Sequence, residues 1–335
     1  MPPRSSVAIS FDLDGRIFAT TATNTTLPES LLWVLGSLRC ASVEPPFWRL
    51  DMMEGTEPPL PADRDLLYAG PIPELGDCAF YEVADGYHLR YPGGVVLTLT
   101  PTAHAAVMVA PPGATHRVVG AAAMTAVEAA LDAAGSVMVH AAGLTLPGLD
   151  ATILIHAPSG TGKTTSALAL AGAGFGLCSD DAMVLRDEAD GFAAWGLPRD
   201  IKVHRQTVAK LAWLQPFFGE EWDAGGERVV RRDAFRNAVH LENGHPRPVT
   251  ALFRLARATD GETVVKPAAR TEVLASLAAD NVRKSHSGLL PLQQRRFAML
   301  ARLVAAVPVF DLIVGSDLAA LAPAILTAVR LAPAD

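Results

Sequence analysis

The run from Ala151 to Asp181 constrains the fold more than any other part of the chain. It reads A-T-I-L-I-H-A-P-S-G-T-G-K-T-T-S-A-L-A-L-A-G-A-G-F-G-L-C-S-D-D. An apolar strand (Ile153, Leu154, Ile155) enters a glycine-rich turn and restarts as a small-residue helix at Lys163-Thr164-Thr165. A strand–turn–helix of this kind aims backbone N–H groups and a helix N-terminus at one point, which makes an anion site able to take a diphosphate. The spacing matches G-x-x-x-x-G-K-[ST] except that Ala157 stands where the first glycine is usual. In that pattern Lys163 reaches the outer phosphates and the Thr164 hydroxyl sits on Mg²⁺. The expected ligand is a nucleoside triphosphate.

Adjacent carboxylates, Asp180 and Asp181, close the run. Side by side they repel, so they share a cation or a proton. Beside a triphosphate, one can hold Mg²⁺ and the other can take a proton from an attacking hydroxyl.

The rest of the composition narrows the class. Of 335 residues, 50% are apolar and 19% are charged, which predicts a globular chain long enough for two domains. A net charge of -7 argues against a general nucleic-acid or membrane-surface binder. Three scattered cysteines (Cys40, Cys78, Cys178) form no CxxC pair, and the N-terminus shows no apolar signal segment, so a cytoplasmic location is expected. The apolar stretches near 119–146 and 297–330 are broken by charged residues and predict no membrane span.

Two modules are expected in an α/β chain: a β-rich one over 1–130 and a P-loop domain over 131–335. In the first, Val7–Phe11 and Arg16–Thr20 flank Asp14-Gly15, a hairpin dipeptide. Further strands are predicted at Ala79–Val83, His88–Tyr91 and Val95–Thr100, with the proline-rich 40–76 read as loop. A helix is predicted over Ala121–Ala134. In the second, a helix over Thr164–Gly172, a strand leading to Asp180, a hairpin of Met183–Arg186 with Phe192–Trp195, and helices at Arg295–Ala306 and Asp317–Arg330 are expected. Gly219–Arg232 reads as a mobile loop.

Basic residues offer charge for a phosphoryl group. Arg199, Lys202 and Arg205 are spaced to bring cations near one point, and Arg199 and Lys202 are candidate contacts to phosphate or acceptor. Arg228, Arg231, Arg232 and Arg236 form a second cluster, able to receive an acidic peptide or a phosphate, or simply to decorate a loop. S-F-D-L-D-G-R-I (10–17) looks like the first motif of haloacid-dehalogenase-type phosphatases, with Asp12 as nucleophile. Arg16 and the strands and loops that follow favour a plain hairpin instead. The remaining histidines, His286 included, show no metal spacing.

Taken together, V-H-A-A-G-L (139–144), S-G-T-G-K-T-T (159–165), A-L-A-L (167–170) and S-D-D (179–181) resemble the catalytic domain of the HPr kinase/phosphorylase family and its HprK-related relatives. The loop also resembles that of ATP-dependent phosphoenolpyruvate carboxykinases, which share the fold. The resemblance spans about 140–205. It implies an HprK/PEPCK-like P-loop kinase domain preceded by a smaller β-rich module. It implies ATP and Mg²⁺, held by Ser159, Gly160, Thr161, Gly162, Lys163, Thr164 and Thr165. It places His140 and Lys163 by the transferred phosphate, Thr164 and Asp181 on the metal, and Asp180 as the group that orients or deprotonates the hydroxyl. Ala157, Thr165 in place of the usual glutamate, and an unrecognisable R-G-x-G signature depart from HPr kinases and turn the expectation toward a divergent relative. Such relatives include kinases that phosphorylate a serine of a ribosomal, lasso-type precursor peptide. The expected partner is thus a peptide or small protein, with neither nucleic acid nor membrane. The family's hexamers leave a homo-oligomer open. A small-molecule kinase and a non-catalytic ATP-binding subunit are the alternatives.

Overall fold

In the computed structural model the described residues are 7–42, 44–72, 75–242, 244–258, 261–282 and 290–331. Residues 1–6, which carry the signal-segment expectation, and His286 lie outside them. The chain divides into two compact units, Met1–Val137 with Val282–Arg296, and Met138–Asn281 with Phe297–Asp335.

The first unit holds β1 (Val7–Asp12), β2 (Ile17–Ala22), α1 (Glu29–Leu35), β3 (Arg39–Cys40), β4 (Trp48–Glu54), β5 (Arg64–Ile72), β6 (Gly76–Val83), β7 (Gly86–Arg90), β8 (Val96–Thr100), β9 (Ala105–Ala110) and α2 (His116–Ala133). The strands form one sheet in the order β3-β1-β2-β4-β9-β8-β7-β6-β5. Asp14 and Gly15 both adopt positive φ between β1 and β2, and the Gly15 N–H donates to Asp12 Oδ1 at 2.6 Å. The phosphatase-like motif is therefore a turn, as its D-G dipeptide predicts.

The reading of 40–76 as loop is corrected. β4 lies inside the sheet, parallel to both β2 and β9, and buries Trp48, Leu50 and Met52. Its W-R-L-D-M alternation is a period-2 strand signal masked by the flanking prolines. β5 is the sheet edge, the place in a sheet where a proline such as Pro71 is tolerated. α2 packs on β8 and β9 and fastens there through Tyr91 Oη and Thr125 Oγ1, 2.9 Å apart and buried.

The second unit continues with β10 (Ser136–Val139, which crosses the division), β11 (Ala142–Thr145), β12 (Thr152–His156), α3 (Lys163–Gly172), β13 (Gly176–Ser179), β14 (Met183–Glu188), β15 (Gly191–Gly196), β16 (Ile201–His204), α4 (Arg205–Lys210), β17 (Glu227–Val230), β18 (Arg247–Arg257), β19 (Val264–Pro267), α5 (Arg270–Asn281), α6 (Leu290–Ala306, which also crosses the division), β20 (Val309–Val314) and α7 (Leu321–Leu331). Its main sheet runs β10-β14-β15-β18-β12-β11-β13, with β20 and β19 added beside β18. β12 pairs parallel with β18 and antiparallel with β11. Long β18, unpredicted from the sequence, is thus the central neighbour of the strand that feeds the glycine-rich loop.

α3 starts at Lys163 and is rich in alanine and leucine, strong helix formers. Its small Ala167 and Ala171 are buried, which lets the helix lie close on β11, β12 and β13. Its last residue is Gly172, where the Trp213 indole occupies the space a Cβ would need, with Nε1 2.6 Å away, and the chain leaves the helix through Gly174 at φ +96°. Trp213, Phe217 and Phe235 stack edge to face at 5.0–6.3 Å between centroids. Phe235 is fully buried, a contribution of about 1.5–3 kcal/mol by transfer from water.

The expected mobile loop at Gly219–Arg232 contains β17, paired antiparallel with β16 as a two-stranded ribbon. Alternation across Arg228-Val229-Val230 is too short to read as a strand until β16 is there to pair with it.

Candidate active site

β12 ends at His156, and the chain turns through Ala157–Gly162 into the first turn of α3. Gly160 (φ +79°) and Gly162 (φ +112°) take left-handed conformations that a side chain would strain. Ala157 does not: among the described residues only Asp14 and His104 have positive φ without being glycine. Ala157 is instead fully buried against the core, so its methyl group is packed and the departure from the usual glycine costs no strain.

The loop opens on a cavity of about 570 Å³. Ser159, Gly160, Gly162, Lys163, Thr164 and Thr165 line it, as do His140, Asp180, Asp181, Arg199 and Lys202. Thr161 does not; its carbonyl points to Arg257, whose Nε donates to it at 2.7 Å. Apart from Thr161, the residues expected to bind the nucleotide, the metal and the acceptor thus gather at one place, from five separate segments; Arg205, spaced with Arg199 and Lys202, does not line the cavity. β10 and the turn after it bring His140, and β13 brings the aspartates. The turn after β15 brings Arg199, and β16 brings Lys202.

The ionic arrangement is specific. Lys163 Nζ donates to His140 Nε2 at 2.7 Å and lies 3.5 Å from Asp181 Oδ1. His140 Nδ1 sits 3.1 Å from the same oxygen, which puts the ring proton on Nδ1 and the lone pair on Nε2. Arg199 holds the other oxygen, Oδ2, at 3.0 Å. Asp181 therefore faces three nitrogen bases or cations. Burial acts to raise its pKa, but the His140 hydrogen bond and the Lys163 and Arg199 charges hold it well below the usual carboxylate range. Burial lowers the Lys163 pKa, and the two aspartates oppose that shift.

Asp180 is the opposite case. Its side chain is buried and accepts a hydrogen bond from Thr164 Oγ1 at 2.9 Å. Burial first, and the Asp181 charge second, push it up to about 6. The sequence reading put Thr164 with Asp181; the structure pairs Thr164 with Asp180. The hydroxyl one residue into the helix meets the deeper carboxylate, while Asp181 turns toward the open cavity and its cations.

Lys202 lines the cavity but is ion-paired to Glu227. Thr165 Oγ1 and Thr207 Oγ1 lie 2.7 Å apart, tying the start of α3 to α4. None of the second arginine cluster lines this cavity, and Arg236 is paired with Asp233. Arg232 is buried and donates to the carbonyls of Leu177 and Glu242 at 2.7 Å each, bracing β13 from behind. A buried cation whose donors go to backbone carbonyls is structural.

Sequence reasoning missed the support behind His140. Its backbone N–H donates to Asn281 Oδ1 at 2.6 Å, at the end of α5. Next to it, buried His156 pairs Nε2 with Ser276 Oγ at 3.0 Å, and burial drives its pKa down to about 4. Asn281 follows the P-loop by more than a hundred residues, so no local pattern could have shown it.

The donor set suits Mg²⁺. Thr164 Oγ1 and Asp180 Oδ2 are adjacent hard oxygens, the donor type that Mg²⁺ takes. Among the described residues no group of three or more His, Cys, Asp or Glu is placed to hold a metal alone. Nor is any described helix long and apolar enough to cross a membrane.

No family model matches the sequence, and no curated protein matches it. Among solved structures, the chain is similar to the HPr(Ser) kinase/phosphatase from Coxiella burnetii. The identity is 12%, over 58% of this chain and 96% of that one, with a TM-score of 0.32.

Proposed function

We propose that this chain is an ATP- and Mg²⁺-dependent kinase that transfers the γ-phosphate to a serine or similar hydroxyl of a peptide or small protein. The observation that carries the reading is the convergence of Lys163, the Thr164–Asp180 pair and Asp181 in one cavity at the mouth of the glycine-rich loop. Nucleotide binding alone needs the loop and its lysine; a second carboxylate held by His140 and Arg199 at the open side suits proton transfer.

The loop N–H groups and Lys163 bind the phosphates, with Lys163 exchanging His140 for a phosphate oxygen. Thr164 and Asp180 would hold Mg²⁺, which neutralises charge on the phosphates. This exchanges the roles read from the sequence, because the Thr164 hydroxyl meets Asp180 and because Asp181 is the more accessible acid. With Lys163 and Arg199 turned to phosphate oxygens, the charges that hold Asp181 low are shared, and Asp181 orients the acceptor hydroxyl and takes its proton. His140, through Nδ1–H, fixes the carboxylate's direction. The acceptor oxygen bonds to the γ-phosphorus as the bond to the β–γ bridging oxygen breaks, and ADP leaves. Arg199 stabilises the equatorial oxygens.

A peptide acceptor is supported by the resemblance to HprK-related kinases and by the polar wall of Lys202, His204, Gln206 and Glu227. The test is incubation of the full chain with ATP-Mg²⁺ and serine-containing peptides, read by mass spectrometry for the gain of one phosphate. Phosphate appearing only on a metabolite selects the small-molecule kinase instead. Nucleotide binding with no acceptor labelled selects the binding subunit.

A further inference from the structure

We propose that Arg257 is a further phosphate-binding residue of this site, anchored to the loop through one N–H and presenting its charge to the phosphate chain of the nucleotide. The inference rests on the nucleotide reading above and adds to it a residue outside the loop and outside the aspartate–histidine cluster.

Three observations carry it. Arg257 is the last residue of β18, the parallel neighbour of β12, so both strands deliver their ends to the same rim of the sheet. Its side chain lines the loop cavity. Its Nε donates to the Thr161 carbonyl at 2.7 Å, and its guanidinium lies against Gly162, 3.4 Å from where a Cβ would stand. Glycine at 162 takes the positive φ that the turn requires, and the arginine packs beside it at ordinary contact distance.

The charges in the cavity explain why this matters. Lys163 and Arg199 are engaged by Asp181, and Lys202 by Glu227. Each must give up or share a carboxylate to meet a phosphate. Among the described residues Arg257 has no carboxylate partner; the group it holds is a neutral carbonyl. With Nε spent on the loop, the two amino groups of the planar fork keep their N–H donors, the geometry that suits phosphate oxygens. Anchoring Nε also removes much of the side-chain freedom that binding would otherwise have to freeze.

The experiment is calorimetric titration of the full chain and of Arg257→Ala, Arg257→Gln and Arg257→Lys with ATP-Mg²⁺, ADP and AMP. Thermal melts confirm that each variant is folded. Arg257→Ala is expected to weaken ATP and ADP binding about ten- to hundredfold, the strength of a hydrogen bond to a charged group, and AMP much less. Lysine is expected to recover part of the loss, and glutamine none, since it can reach for the carbonyl without bringing charge. Two results overturn the inference: Arg257→Ala within twofold of wild type, or glutamine matching wild type while lysine fails, which reduces Arg257 to a neutral brace of the loop. If the wild-type chain itself binds neither ATP nor ADP, the nucleotide reading falls and Arg257 falls with it.

Discussion

The hydroxyl of Thr164 donates to the buried carboxylate of Asp180 at 2.9 Å, joining the first turn of α3 to the end of β13. The contact sets the two adjacent aspartates apart. Asp180 is desolvated and raised to about 6, whereas Asp181 is surrounded by His140, Lys163 and Arg199 and held low.

Isosteric amides separate the two roles. Asp181→Asn is expected to slow phosphate transfer by about 10²–10⁴, the usual effect of losing a general base, while nucleotide affinity changes little. Asp180→Asn is expected to raise the Mg²⁺ concentration needed for half-maximal activity. Rates measured against Mg²⁺ for both variants decide it. The reverse pattern would return the proton-accepting role to Asp180.

Lys163→Ala is expected to weaken ATP binding by about 1.5–3 kcal/mol, the worth of a charge-assisted hydrogen bond. It should also free His140 Nε2. Calorimetry on the two proteins checks this, and equal affinities would remove Lys163 from the phosphate site.

His156 makes folding stability depend on pH. Its folded pKa of about 4 lies below its ordinary 6.5, so protonation favours the unfolded chain. The stability tied to neutral His156 is fully present above about pH 6.5 and is lost as pH falls toward 4, by roughly 2–4 kcal/mol in all. Urea denaturation at pH 7 and pH 5 should show a steeper loss for wild type than for His156→Gln. Parallel losses would sink the assignment.

Gly196 tests the packing beneath the site. A Cβ there would stand 2.2 Å from the Cys178 carbonyl oxygen, a backbone atom that cannot swing aside. Gly196→Ala is expected to destabilise the chain by at least about 1–3 kcal/mol, as overpacking does, and to disturb the strand that carries Asp180. An unchanged melting temperature would show that β15 shifts without cost.

Much of the site was legible because its parts are local. The strand, glycine turn, Lys163-Thr164 and helix occupy fourteen consecutive positions from Ile153 to Ser166, and their chemistry depends on being consecutive. Even Ala157, a departure from the usual pattern, proved harmless only once its backbone angles and burial were known. The first unit was less legible: β4 alternates cleanly, but the prolines around it drew the reading to loop, and its partner β9 lies some fifty residues further along the chain.

By itself, the sequence determined that a glycine-rich loop lies between a strand and a helix, that two carboxylates follow it, and that short strands precede it. These are properties of backbone conformation and side-chain type over short spans. Only the tertiary structure decided which aspartate meets Thr164, that Asn281 holds the backbone of His140, that Arg232 braces β13 from within, and that Arg257 leans on Thr161. Each of those joins residues many positions apart through burial and hydrogen-bond direction. Such contacts exist only after β18, α5 and the strands around them have been placed side by side.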